Sequence, residues 1–122
     1  MNRYTPLVLI AALMTCGDAV AHARLLQSSP TPDAQLLEAP KTLILTFSEA
    51  AQLAVLKIVA SGKQIPVVVD HNAKASSIVT VTLPALQPGV YLVEWSALAA
   101  DDGHVTHGQF GFSLVAQPQK TN

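Results

Sequence analysis

Four histidines and one compact acidic segment are the residues of this sequence best suited to bind a metal ion. His22 follows a stretch of small residues, and the segment 101–108 reads DDGHVTHG. In an extended backbone Asp102 and His104 would point to the same side, as two ligands of one ion must. A polar turn that carries a surface histidine is the alternative explanation of this segment.

His22 becomes a stronger candidate if it is the first residue of a processed chain. The N-terminus is positively charged, residues 7–14 form an unbroken apolar run, and residues 19–21 (AVA) have the small-x-small form that signal peptidase accepts. The run is too short for a bilayer, which requires about 20 apolar residues. We therefore predict that residues 1–21 are a cleaved signal peptide and that residues 22–122 form one exported domain without a membrane span.

An N-terminal histidine offers two nitrogen donors, the α-amine and the ring Nδ1, at a spacing that closes a chelate ring on one metal ion. Both nitrogens must be deprotonated to bind, which a strongly Lewis-acidic ion can bring about at neutral pH. Nitrogen-rich tetragonal sites favour Cu(II) or Ni(II), and Cu(II) stands highest in the affinity order. A histidine placed at a cleavage site by chance is the alternative explanation of His22.

The predicted processed chain contains no sulfur ligand. Cys16 is the only cysteine, and both methionines, Met1 and Met14, also lie within the predicted signal peptide. Cleavage after Ala21 therefore leaves neither a disulfide nor a thiolate site, and it leaves no soft thioether for Cu(I). Processing as a lipoprotein at Cys16 is the alternative, although Thr15 stands where such signals prefer a smaller residue.

The charge balance argues against nucleic acids and anionic membranes as partners. Seven Lys and Arg residues against eight Asp and Glu residues give a net charge of −1, and only 12% of the residues are charged. Such a chain has no basic patch for phosphate groups. Its 122 residues, of which 50% are apolar, fit a single domain with its own core.

The chain from residue 22 onward has the pattern of an all-β domain. Short β-branched or aromatic runs predict strands, and turn residues separate them at the spacing of a sandwich or small barrel. The predicted strands are residues 23–28 at an edge, then 41–48, 53–60, 65–69, 77–83, 89–97 and 109–116. Residues 29–33 are predicted to be a loop and residues 117–122 a polar tail.

The aromatic residues are predicted to fill the core rather than to bind a polymer. Trp95 alternates with two other apolar residues on one face of its strand, which places it among buried side chains. Phe47, Phe110 and Phe112 are interpreted in the same way. The few aromatic side chains do not suggest an exposed platform for sugars or bases.

Taken together, these motifs resemble the CopC family of periplasmic copper-resistance proteins. In chain order they are His22 after the Ala-x-Ala sequence, LILTFSE at 43–49, LQPG at 86–89 followed by YLVEW at 91–95, and DGH at 102–104 with Gly108 and FGF at 110–112. Each motif is weak alone. Their order and spacing over nearly all of residues 22–116 make the resemblance specific.

The resemblance implies a small Greek-key β-barrel or immunoglobulin-like sandwich in the periplasm that binds one Cu(II) ion per chain. Carried over by position, the ligands are His22, Asp102 and His104. Glu49 matches an acidic position that approaches the site in some members, either as a weak ligand or as a partner that orients a ligand. A water-exposed carboxylate at a strand end is the alternative for Glu49.

Some members of the family carry a methionine-rich Cu(I) site in the middle of the chain. Residues 61–72 of this sequence occupy that place and contain no methionine, so no Cu(I) site is expected. His71 is interpreted as a solvated turn residue, with an incidental metal contact as the alternative. His107 stands where the family often has a small residue, and its orientation toward the site is left open.

The resulting hypothesis is a non-enzymatic, mostly monomeric protein that sequesters or carries Cu(II) in copper resistance or homeostasis. The resemblance implies a membrane copper transporter of the CopD type as a partner. Two other classes stay open, namely a copper-dependent oxidative enzyme with an N-terminal histidine and a metal-free immunoglobulin-like interaction module. Copper-dependent oxidation of ascorbate would identify the enzyme, and an absence of stoichiometric Cu(II) uptake would leave the module.

Overall fold

Stretches of alternating apolar and polar residues become strands in the computed structural model, which describes residues 23–116. In chain order the strands are β1 (Leu25–Ser29), β2 (Gln35–Leu36), β3 (Thr42–Ala60), β4 (Lys63–Ile65), β5 (Ser76–Thr82), β6 (Gly89–Ala99) and β7 (Val105–Leu114). The predicted all-β class is confirmed.

Three parts of the sequence prediction lie outside the described residues. They are the signal peptide with Cys16, the candidate ligand His22 and the polar tail. Within the described part, no helix is long and apolar enough to cross a bilayer.

The longest strand, β3, is shared by the two halves of a curled sheet. Its first half pairs antiparallel with β1 and β5, and its second half pairs antiparallel with β6 and β4. Register shifts between Thr46 and Ala51 and between Leu53 and Val55 interrupt the ladder, as bulges do where a strand bends. β6 also pairs with β7, and β2 adds a short parallel bridge to β7. Glu49 lies within the first of these irregular stretches.

The curled sheet encloses one core of aromatic and aliphatic side chains. Trp95 packs edge-on against Phe47 with ring centroids 5.4 Å apart, and Tyr91 stacks on Phe112 at 5.2 Å. These four residues and Phe110 are buried, which confirms the predicted core positions. Aromatic pairs of this kind stabilise a core beyond the area that they bury.

β7 approaches the core closely at Gly108. A Cβ atom built on this glycine would lie 2.9 Å from Cζ2 of Trp95. Real Cβ contacts are longer, so the indole ring of Trp95 occupies the space that a side chain at position 108 would need. The glycine therefore makes room for the side chain of Trp95, the largest residue of the core.

Several strand bounds differ from the sequence prediction. The strands predicted at 41–48 and 53–60 form the single strand β3, because irregular pairing continues through the intervening residues 49–52. The strand predicted at 65–69 is wrong beyond Ile65, since the following residues form no ladder, although alternate valines still pack on the core. β2 escaped prediction because two residues are too few to show alternation.

Candidate metal centre

The turn between β6 and β7 brings Asp102 and His104 together. Gly103 has a φ of +70°, a left-handed conformation that glycine adopts without steric cost. Two backbone hydrogen bonds of 2.9 Å close the turn, from Gly103 N to Ala99 O and from Ala99 N to His104 O. The predicted proximity of Asp102 and His104 is thus found. A turn produces it, rather than the extended backbone that we expected.

Both carboxylate oxygens of Asp102 engage His104. Oδ2 lies 2.7 Å from the ring Nδ1, and Oδ1 accepts a hydrogen bond of 3.0 Å from the His104 backbone N–H. A carboxylate on one ring nitrogen fixes the plane of an imidazole, and here it sets a carboxylate oxygen and a ring nitrogen side by side. The His104 side chain is 59% exposed, so an ion from solvent can reach it.

The first described residues of the chain lie beside this turn. Thr106, two residues after His104, donates a hydrogen bond of 2.8 Å from Oγ1 to Ala23 O. Arg24 N donates to Ser48 Oγ at 2.9 Å, and Ser48 N donates to Arg24 O at 2.8 Å. Ala23 is completely buried. The chain therefore enters the fold at the end of the sheet that carries the Asp102–His104 pair.

We call this end of the sheet the rim and define it as residues 23–24, 48–50 and 100–106. Glu49 belongs to it, because the neighbouring Ala50 O accepts a hydrogen bond of 3.0 Å from Ala100 N in the turn. Oε1 of Glu49 is buried and has no hydrogen-bond partner among residues 23–116. This burial disagrees with the interpretation of Glu49 as a water-exposed strand end. A buried carboxylate oxygen without a donor is costly in free energy, so the atom suits an N–H group or a cation.

The described residues do not form a complete metal centre by themselves. Within residues 23–116, no three His, Cys, Asp or Glu side chains come together in a group that could hold a metal ion. Asp102 and His104 are thus two donors, and Glu49 does not join them as a third. A tetragonal nitrogen-rich site needs further donors. His22, which precedes Ala23 in the chain, would bring two.

The other two histidines lie elsewhere on the surface. His107 is opposite Ser96 in the β6–β7 ladder and is exposed, whereas the preceding Thr106 is half-buried on the other side of the strand. His107 therefore faces away from Thr106 and Ala23. His71 is exposed in a turn, where its carbonyl accepts a hydrogen bond of 2.7 Å from Gln52 Nε2. The position of His71 agrees with its interpretation as a solvated turn residue.

The contacts of Thr106 and Ser48 could not be predicted from the sequence. Hydroxyl residues are common in strands, and the hydrogen bond of Thr106 reaches a residue 83 positions away in the chain. One signal was present in the pattern. Thr106 stands two residues after His104, the spacing that places two side chains on one side of a strand.

Comparison with known proteins agrees with this fold. The CopC domain model matches residues 25–115. Protein YobA of Escherichia coli K12 is 30% identical over 118 residues, which cover 92% of this chain and 93% of that protein. The crystal structure of CopC from Methylosinus trichosporium OB3b matches with a TM-score of 0.68 and 24% identity, covering 82% of this chain and 100% of that one. PcoC, a methionine-rich copper resistance protein from Escherichia coli, matches with a TM-score of 0.62 and 26% identity, covering 77% and 99%.

Proposed function

This chain belongs to the CopC family of copper-resistance proteins, and on that premise we propose that it binds one Cu(II) ion in the periplasm to sequester or carry it. One observation supports the proposal above the others. The rim gathers the Asp102–His104 pair, the buried oxygen of Glu49 and the point at which the chain enters the fold. A terminal His22 would be bonded directly to Ala23, whose carbonyl Thr106 holds at the rim.

The proposed donor set is rich in nitrogen. The α-amine and Nδ1 of His22 supply two donors and the imidazole of His104 supplies a third. Asp102 contributes an anionic oxygen that offsets the charge of the ion. Its Oδ2 and the His104 Nδ1 face each other 2.7 Å apart, so an ion held by both would take the place of their direct contact. Such a set of nitrogen and carboxylate donors favours Cu(II) over softer or more strictly tetrahedral ions.

Glu49 has a supporting part in this proposal. Its buried Oε1 needs a donor, and both the ring and the backbone of a terminal histidine carry N–H groups. A hydrogen bond from His22 to this oxygen would satisfy the carboxylate and fix the orientation of the chelating residue.

Carriage of copper without turnover is the activity that this donor set favours. An anionic fourth ligand occupies the position that an oxidative copper enzyme keeps open for oxygen. The chain from residue 22 onward also contains neither cysteine nor methionine, so it has no sulfur donors for Cu(I). We propose that a membrane copper transporter of the CopD type exchanges the ion with this protein.

The first experiment is a Cu(II) titration of the chain that begins at His22, followed by electron paramagnetic resonance and visible absorption. We expect a tetragonal, nitrogen-rich signal that saturates at one ion per chain. A signal from several weak, unsaturable environments would contradict the proposal.

A matched modification tests the terminal chelate directly. Acetylation of the His22 α-amine converts it into an amide nitrogen, which keeps its proton at neutral pH when no neighbouring amine anchors the metal. No residue is added before His22, because an amine one residue ahead of a histidine would form a new chelate with the intervening amide and the imidazole. The imidazole and the rest of the fold are unchanged, because the modification lies at the chain end. In competition with a chromophoric chelator, the acetylated protein should bind Cu(II) at least about 100-fold more weakly, a loss of roughly 2.7 kcal/mol or more. Wild-type affinity in the acetylated protein would remove the α-amine from the proposed donor set.

A further inference from the structure

Two hydroxyl side chains hold the first described residues in place. Oγ1 of Thr106 donates to Ala23 O, and Oγ of Ser48 accepts from Arg24 N. Thr106 lies in β7 and Ser48 in β3, so these bonds attach residues 23 and 24, which we call the chain start, to two different strands. The Ser48 N–H, which donates to Arg24 O, completes the attachment to β3.

The regular ladder between β1 and β3 does not by itself explain why residues 23 and 24 hold a fixed position. The ladder between β1 and β3 begins with Leu25 opposite Phe47, and its register is already irregular between Leu25 and Gln27. Residues ahead of such a strand end are usually frayed unless something ties them down. Here Ala23 is completely buried, and both its carbonyl and the next backbone N–H are bonded to side chains.

The anchor on β7 lies next to the imidazole. His104 directly precedes β7 and Thr106 is the second residue of that strand, a separation of about 6–7 Å if the backbone is extended. The residue that carries the candidate ligand and the residue that holds Ala23 O therefore belong to one short stretch of backbone. A movement of this stretch would shift both sides of the proposed site together.

We infer that Thr106 and Ser48 are positioning residues, which hold the chain start where the terminal histidine of the proposed function can chelate copper together with His104. This inference rests on the proposed Cu(II) site. It adds that two hydroxyl hydrogen bonds order residues 23 and 24 before the ion binds. A chain start that is already ordered loses less conformational entropy when it binds, and therefore binds more tightly. Thr106 and Ser48 touch no ion in this scheme and act only through residues 23 and 24.

The test compares Thr106→Val with Thr106→Ser. Valine has nearly the shape of threonine and suits a strand, but it cannot donate to Ala23 O, whereas serine keeps the hydroxyl. Thr80→Val is the matched control, since Thr80 is an exposed threonine of β5 away from the rim. Ser48→Ala removes the second anchor and gives an independent variant if valine at position 106 impairs folding.

Three measurements are made on chains that begin at His22. The first two are Cu(II) affinity by chelator competition and the electron paramagnetic resonance spectrum. The third, on the metal-free protein, is amide hydrogen exchange at Arg24. We expect Thr106→Val and Ser48→Ala each to weaken Cu(II) binding about fivefold, the usual effect of one hydrogen bond. Both should broaden the copper signal into more than one environment and speed exchange at Arg24. Thr106→Ser, which keeps the hydroxyl, should have the Cu(II) affinity, the copper spectrum and the Arg24 exchange rate of the unaltered protein. Thr80→Val should change none of these three measurements.

The possible results distinguish a failure of this inference from a failure of the proposed function. Unchanged copper affinity and spectrum in both Thr106→Val and Ser48→Ala would overturn the inference, even if exchange at Arg24 became faster, because the anchor would then be structural only. If Thr106→Ser bound Cu(II) as weakly as Thr106→Val does, the role of the Thr106 hydroxyl would be overturned. If the unaltered protein takes up no Cu(II), the proposed function fails and this inference with it. The unaltered protein therefore tells the two failures apart.

Discussion

At the scale of single residues, the orientation of His104 depends on one carboxylate. Asp102 holds the imidazole at Nδ1 and the backbone at the His104 N–H, so ring and main chain are fixed from the same side. His107, which lies within β7 on the side opposite Thr106, provides a natural comparison.

His104→Ala should therefore weaken Cu(II) binding at least about 100-fold, since it removes a nitrogen ligand. His107→Ala is the control and should leave the affinity unchanged, although it removes the same side chain only three residues away. Competition against a chromophoric chelator measures both. Equal losses in the two variants would mean that copper binds the exposed histidines without distinction.

Gly108 shows how a single missing Cβ shapes the core. Gly108→Ala should destabilise the protein by about 1–3 kcal/mol, because the added methyl group would overlap the ring of Trp95 at 2.9 Å. Gly89→Ala is the matched control, since a Cβ there meets nothing within 4 Å. Urea unfolding followed by tryptophan fluorescence gives both free energies. A loss at position 89 as large as that at position 108 would contradict this explanation.

At the scale of elements, the turn between β6 and β7 sets the geometry of the candidate site. Gly103→Ala should cost about 1 kcal/mol of stability, because the left-handed conformation crowds a Cβ. It should also weaken copper binding, since a relaxed turn would separate Asp102 from His104. Gly103→Asn is the control, because asparagine tolerates this conformation better than other side chains. Thermal unfolding and Cu(II) titration of the two variants check both effects, and equal behaviour of alanine and asparagine would refute them.

Alternation along the chain was enough to predict most of the strands, because a side chain facing the core every second residue leaves a clear pattern. It was not enough to predict that β3 is continuous, since bulges conceal alternation where the strand bends. The residues Asp102 and His104 were identifiable from type and spacing. Their contact depends on the φ of Gly103, and the anchors Thr106 and Ser48 depend on the tertiary fold, neither of which a local pattern contains.

At the scale of the whole molecule, copper bound by the proposed ligands would join the residue ahead of Ala23 to the turn between β6 and β7. We therefore expect Cu(II) to raise the melting temperature at neutral pH. The stabilisation should be roughly 4 kcal/mol when free copper is about a thousandfold above the dissociation constant. Because protons compete with the metal for imidazole and amine nitrogens, the effect should fade between about pH 7 and about pH 5.

Calorimetric scans with and without one equivalent of Cu(II) measure this stabilisation. The His104→Ala variant is the control, and copper should stabilise it far less, by at most about 1.4 kcal/mol at the same free copper concentration if its affinity is about 100-fold lower. A melting temperature of the unaltered protein that copper does not move at about pH 7 would count against a specific site.

The complete burial of Ala23 bears on the stage at which the chain could bind copper on the proposed function. While residues 1–21 are attached, the nitrogen of His22 is a peptide amide bonded to Ala21 and not a free amine. On the proposed function, the chelating amine is thus created by a proteolytic cut directly ahead of a residue that is already buried in the fold. A chain that has not been cut before His22 would lack this donor. On the proposed function, maturation is the step that switches copper binding on, and it confines tight binding to the compartment in which the leader has been removed.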